Sequence, residues 1–209
     1  MHEVLFPYSR ARLADYVRAH ESTLATVLDR VRTHSGLPDL DLDGSIAQLL
    51  DWHDADRKIE PLKELQGQIW HEGFASGAFT GHVYPDAVAG LRRWHAAGIA
   101  LYVYSSGSVG AQKLLFGHSD AGDLLPLFAG HFDTAIGGKK EAASYAAIAR
   151  AIGIAPPELL FLSDVEVELE AARAAGFASI LLARDGVPEI SAFPVATSFD
   201  TILPMEATV

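Results

Sequence analysis

A chain of 209 residues, 49% hydrophobic and 21% charged, has a globular composition and enough length for one large domain or a core carrying an inserted module. Its 27 acidic against 16 basic side chains give a formal charge of −11, which excludes a nucleic-acid backbone as partner, because that requires clustered Lys and Arg. The lack of cysteine excludes disulfides and thiolate metal sites, and no apolar run approaches the roughly 20 residues that span a bilayer.

In chain order, the start Met1–Tyr8 has neither the basic flank nor the apolar core of a signal peptide, so a cytoplasmic protein with no membrane partner is expected, and it is taken as a monomer, which the sequence does not derive. Val4-Leu5-Phe6 reads as a lead-in. From Arg10 to His34 the residues Leu13, Tyr16, Val17, Leu24, Val27, Leu28 and Val31 recur at helical spacing, and Gly36 and Pro38 stop the pattern. The segment Asp39-Leu40-Asp41-Leu42-Asp43-Gly44 lacks the spacing and closing Glu of a calcium loop and is expected as a solvated connection. Ser45 is expected to cap a helix carrying Ile46, Leu49, Leu50 and Trp52, and Pro61 to open another with Leu62, Leu65 and Ile69. No strand pattern appears before Gly81, so residues 10–81 are predicted as a helical module.

Beyond it the pattern alternates. Pro85 opens a helix with Val88, Leu91 and Trp94 inward, ending at Gly98. Ile99–Tyr104, apolar or aromatic throughout, predicts a strand buried on both faces; it ends in Ser105-Ser106-Gly107-Ser108 before a helix from Val109. Phe132–Ile136 predicts a short strand ending in Gly137-Gly138-Lys139-Lys140, followed by a helix over 141–152. Leu159–Leu162 predicts a strand ending in Ser163-Asp164, then an acidic helix to Ala175 and a strand over 179–182. Strands alternating with helices predict an α/β core with a parallel sheet over 82–209, joined by 1–9.

Polar residues of three kinds therefore stand at strand ends, where open α/β sheets bind ligands: Ser105 and Ser106, Lys139, and Asp164. Hydroxyls and N–H donors suit phosphate oxygens, more so if the helix from Val109 points its positive end at the anion. A lysine supplies fixed positive charge, and a carboxylate suits a hard cation such as Mg²⁺. Taken singly each is weak evidence, and a lone Asp after a strand is more often a turn or cap residue; in this order on alternating units the combination is more specific. No Gly-x-Gly-x-x-Gly supports a nicotinamide site, His118 and His131 lack paired ligand spacing, and Trp52, Trp70 and Trp94 read as core anchors.

The order Ser, Lys, Asp after successive strands resembles the haloacid dehalogenase-like hydrolases. Val83–Asp86, Val103–Val109, Gln112–Ser119, Gly130–Thr134 and Phe161–Val165 narrow the resemblance to the enolase-phosphatases of methionine salvage, and Val4–Tyr8 and Leu65–Trp70 extend it into the helical module. The resemblance implies a Rossmannoid parallel sheet with a helical cap (10–81) over its edge, and Mg²⁺ as cofactor. It also implies enolisation and dephosphorylation of a small phosphorylated diketone, 2,3-diketo-5-methylthiopentyl-1-phosphate, to an acireductone. Ser105 and Ser106 then contact substrate and phosphoryl group, Lys139 is catalytic in offsetting phosphate charge, and Asp164 is a metal ligand. Members of that family begin with a strand ending in Asp-x-Glu-Gly-Thr-Thr, whose Asp is the nucleophile. That motif does not occur in this sequence, and Asp39, Asp41 and Asp43 cannot replace it. The expectation is a sheet without its first, central strand, between Ile99–Tyr104 and Leu159–Leu162, and a chain without turnover. The alternatives are a non-catalytic binder of phosphate or a phospho-metabolite, and another small-molecule phosphatase of the same superfamily.

Overall fold

The computed structural model describes residues 4–184 and 186–202. The chain forms two compact units, Met1–Thr80 and Gly81–Val209. Among the described residues no helix is long and apolar enough to cross a membrane.

The first unit consists of α1 (Leu5–Ala19), α2 (Ala25–Ser35), α3 (Leu42–Asp54) and α4 (Glu60–Ala75). The periodic residues pack inward as one cluster: Leu13 and Val17 with Leu24, Val27, Val31, Leu49, Trp52, Leu65 and Ile69. The helix expected from Arg10 to His34 is two helices. Its apolar period runs through residues 20–24, but a turn there interrupts it, with the Thr23 hydroxyl donating to His20 O at 2.9 Å. The first helix starts upstream of the expected boundary, at Leu5, whose carbonyl accepts from Trp70 Nε1 at 2.7 Å. Residues 5–9, expected to accompany the α/β core, thus lie in α1. Gly36, at φ 73°, closes α2 in the left-handed conformation that a glycine adopts without strain. Asp41, and not Ser45, caps α3: its carboxylate accepts from Gly44 N at 2.7 Å, while the buried Ser45 hydroxyl donates to Asp41 O inside the first turn.

The second unit alternates α5 (Pro85–Ala96), β1 (Leu101–Tyr104), α6 (Val109–Gly117), β2 (Phe128–Phe132), α7 (Ala142–Ile152), β3 (Leu160–Ser163), α8 (Glu166–Ala174), β4 (Ala178–Leu182) and the short β5 (Val195–Ala196). All observed strand pairings are parallel, as the alternation predicts, and they form two ladders. One joins β1 to β2 with Tyr104 opposite Phe132; the other runs β3-β4-β5. Among the described residues no strand pairs with the second edge of β1 or of β3. That explains a departure from the expected burial: Leu101–Tyr104 are half-buried instead of buried on both faces, because β1 is flanked on one side only. The second strand also lies earlier than expected, at Phe128–Phe132. Asp133 ends it by accepting Val109 N on one carboxylate oxygen (3.0 Å) and Ala135 N on the other (2.9 Å), which turns the chain out of the ladder.

The start of α5 is clasped to later segments of its own unit. Arg184 makes a two-pronged ion pair with Asp86 at 3.0 and 2.9 Å, Phe199 N donates to the same carboxylate at 2.9 Å, and the guanidinium lies 4.1 Å from the Tyr84 ring centre. Phe199 also stacks on the buried Trp94, and a Cβ at Gly90 would stand 2.8 Å from it, so the ring's seat needs glycine there. Trp52, Trp70 and Trp94 are all buried, as core anchors should be.

Candidate active site

Each predicted site residue lies in the second unit, directly beyond a strand or on the loop after one. Ser105 continues the β1–β2 ladder by one bond, its N–H donating to Phe132 O at 3.1 Å, and its hydroxyl accepts Gly107 N at 3.2 Å. Ser106 is exposed at the tip. Ser108 caps α6 through Ala111 N, and Gln112, buried on the first turns of α6, braces the loop from below. Its side-chain amide donates to Gly107 O at 2.9 Å and to Phe132 O at 2.8 Å, while its amide oxygen lies 3.2 Å from His131 Nδ1. Burial, with Lys113 nearby, holds the His131 imidazole below its ordinary pKa. The amino end of α6 is less open to an anion than expected. Asp133 takes Val109 N and Ser108 takes Ala111 N, so the protein itself engages donors that the sequence assigns to a ligand.

Lys139 follows a glycine pair. Its ammonium lies 2.6 Å from the Glu168 carboxylate, with the two side chains 22% and 10% exposed, whereas Lys140 is exposed. Glu168 also accepts the Ser163 hydroxyl at 2.9 Å, and Ser163 Oγ accepts Val165 N at 3.1 Å. The loop carrying Lys139 is held from behind by two tyrosines: Tyr104 OH donates to Gly137 O at 2.8 Å and Tyr145 OH to Lys139 O at 2.6 Å. Burial, reinforced by the Glu168 charge, pushes both phenols above their ordinary pKa, so they remain donors at any physiological pH.

A continuous path of contacts thus joins the three predicted positions. It runs from Ser105 to its neighbour Tyr104, to the Gly137–Lys139 loop, through Lys139 to Glu168, then to Ser163 and the adjoining Asp164. Asp164 itself is exposed beyond the end of β3. Among the described residues no group of three or more His, Asp or Glu side chains is arranged to hold a metal. Mg²⁺ keeps several waters and is commonly held by one or two carboxylates together with phosphate oxygens, so Asp164 fits as one ligand of such an ion.

Glu168, Tyr104, Tyr145, Gln112 and Asp133 were not singled out by sequence. Glu168 sits among Glu166 and Glu170, and only its place beside buried Leu169, Ala171 and Ala172 on α8 separates it from those exposed neighbours.

Residues 8–176 match the haloacid dehalogenase-like hydrolase family. The chain is 54% identical over 204 residues to the enolase-phosphatase E1 of Methylococcus capsulatus, covering 97% of this chain and 90% of that protein. It is 55% identical to the protein of the same name from Azotobacter vinelandii, covering 97% and 89%. The crystal structure of the UTR4 protein of Saccharomyces cerevisiae superimposes with a TM-score of 0.82 at 34% identity, covering 96% of this chain and 91% of that one. An L-2-haloacid dehalogenase, RSc1362, shares the fold with a TM-score of 0.53 at 19% identity, covering 95% and 82%.

Proposed function

Because the chain belongs to the haloacid dehalogenase-like hydrolases and, within them, to the enolase-phosphatases, we propose that it serves methionine salvage in the cytoplasm, as a monomer acting on 2,3-diketo-5-methylthiopentyl-1-phosphate. The diketone is enolised and its phosphate monoester hydrolysed, giving acireductone and inorganic phosphate. In this reading the hydroxyls of Ser105 and Ser106 donate to the phosphoryl oxygens or the substrate. The Lys139 ammonium offsets the charge that gathers on the phosphate, and Asp164 is this chain's ligand to Mg²⁺. Bound Mg²⁺ supplies further positive charge against the phosphoryl oxygens.

One observation carries the reading: a lysine on a glycine loop, ion-paired with a nearly buried carboxylate and tied through Tyr104 to the serine loop. A cation held in place costs little reorganisation when a phosphate dianion arrives beside it.

Transfer of the phosphoryl group to a carboxylate requires a nucleophile, and the 209 residues contain no Asp-x-Glu-Gly-Thr-Thr. The reading therefore expects phosphate binding without turnover from this chain, and turnover from a chain extended by a strand that ends in that motif. The test assays phosphate release from the diketone phosphate, with Mg²⁺, for both purified proteins. Comparable release from the 209-residue chain overturns the nucleophile assignment; none from either overturns the enolase-phosphatase reading. A second reading is binding of a phospho-metabolite without chemistry, and stabilisation of both proteins by the ester with no release would support it. Release from other phosphate esters, but not from this one, would point to another small-molecule phosphatase.

A further inference from the structure

The loop carrying Lys139 is anchored in an unusual way for a surface turn. Two tyrosine hydroxyls, from different elements, donate to carbonyls on either side of Gly138: Tyr104 to Gly137 and Tyr145 to Lys139 itself. The two rings meet edge to face, 5.5 Å apart at 83°. Tyr145 is fully buried and meets Phe161 and Phe177 edge-on at 5.0 and 5.7 Å, so neither hydroxyl hangs on a mobile side chain. The backbone between them has little freedom. Gly137 sits at φ 136°, and a Cβ there would lie 2.2 Å from Ser144 Oγ, so the turn is pressed onto α7 in a conformation that glycine alone adopts without strain.

We infer that Tyr104 and Tyr145 are positioning residues for Lys139. They fix the peptide planes from which its side chain departs, and Tyr104, next to Ser105 in the chain, keeps the lysine loop in register with the serine loop. The inference rests on the reading of Lys139 as the cation facing the phosphate. An ammonium bonded to a single carboxylate is free to follow that carboxylate if its own backbone moves. With the backbone clamped at two carbonyls, the ammonium keeps its place when Glu168 must share it with an incoming anion. The packing of both rings would be satisfied equally well by phenylalanine; the hydroxyls are what reach the carbonyls of this loop, with Ser144 also beside the Tyr104 hydroxyl.

The test uses the 209-residue chain and its variants Tyr145→Phe and Tyr104→Phe, which keep the rings, with Lys139→Met as reference. Two quantities are read. The first is the rate at which an amine-acetylating reagent labels Lys139 relative to exposed Lys140 and Lys113 and half-buried Lys63, followed by peptide mass spectrometry. The second is affinity for inorganic phosphate by titration calorimetry. Loss of one hydroxyl is expected to raise Lys139 labelling about fivefold, the effect of one net hydrogen bond, and to weaken phosphate binding by a similar factor. The other lysines should be unaffected, which separates a released loop from a loosened fold. Unchanged labelling and affinity in both variants overturns the inference while leaving Lys139 as phosphate cation. Faster labelling in a protein whose phosphate binding is absent, or is indifferent to Lys139→Met, supports the clamp and overturns the reading on which its purpose rests. Should Tyr145→Phe fail to fold, Tyr104→Phe, whose ring is only half-buried, decides the matter alone.

Discussion

Lys139 and Glu168 meet at 2.6 Å across the end of β3, and Glu168 is the more buried of the two. Taking one partner away leaves a poorly solvated charge, which is costlier than the pair itself is stabilising. Glu168→Gln keeps an acceptor for Ser163 but removes the counter-charge. It is expected to destabilise the second unit by about 1–3 kcal/mol while removing the carboxylate that competes with phosphate for the Lys139 ammonium. Lys139→Met, Glu168→Leu together should recover stability and not phosphate binding. Thermal unfolding and phosphate titration of the three proteins check this, and recovery of binding in the double variant would sink the role given to Lys139.

Asp164 is exposed, and among the described residues no group of three or more His, Asp or Glu side chains is arranged to hold a metal. In a chain carrying the nucleophile motif, Asp164→Asn should lower Mg²⁺ affinity by tenfold or more (about 1.4 kcal/mol), because a neutral amide oxygen is a poor ligand for a hard cation. Stability should hardly change. Mg²⁺ titration of phosphate release is the measurement, and an unchanged midpoint would reduce Asp164 to a turn residue.

Arg184, followed by the Phe199 N–H, holds the Asp86 carboxyl below the usual carboxylate range despite partial burial. A folded-state pKa below the unfolded value of about 4 gives stability that is present above pH 4 and lost as pH falls through the lower folded value. The clasp should thus weaken in acid, and Asp86→Asn should lower stability near neutrality by about 1–2 kcal/mol while flattening the acid limb. Melting temperatures from pH 7 to pH 3 test it; parallel curves for the two proteins would show that Asp86 contributes nothing to the acid sensitivity.

His53 lies buried in the helical unit with Nε2 3.2 Å from the Ser9 hydroxyl. Burial is the main cause holding its pKa below the ordinary value, outweighing the charge of Asp54; Arg10 adds to the lowering. The unfolded chain therefore takes up the proton first. Stability is full above pH of about 6.5 and declines as pH falls from there toward the folded value. Hydrogen exchange of peptides from α1 and α3 should accelerate between pH 7 and 5, after correction for intrinsic rates, and His53→Gln should remove most of that dependence. An identical pH response in His53→Gln would assign the effect to another group.

Much of this protein was legible in the sequence, because much of it rests on local patterns. Helical spacing at Leu13, Val17, Val27 and Val31, the left-handed glycine at Gly36, and apolar runs ending in polar residues each depend on neighbours a few positions away. The same locality explains the errors. The period running through Leu24 concealed the turn at 20–24, and Asp133 looked like part of a strand because its two backbone partners, Val109 and Ala135, lie to either side of it. Ser105, Lys139 and Asp164 could be picked by their place after strands, but not what holds them. Glu168 is one of several acidic residues on α8, and Tyr104 and Tyr145 read as core aromatics. What distinguishes them is a partner distant in the chain: a lysine for Glu168, a carbonyl of the glycine loop for Tyr104. Sequence sets which residue types stand at the strand ends; only the folded chain, by bringing remote backbone and charge within hydrogen-bond reach, decides which of them is held still.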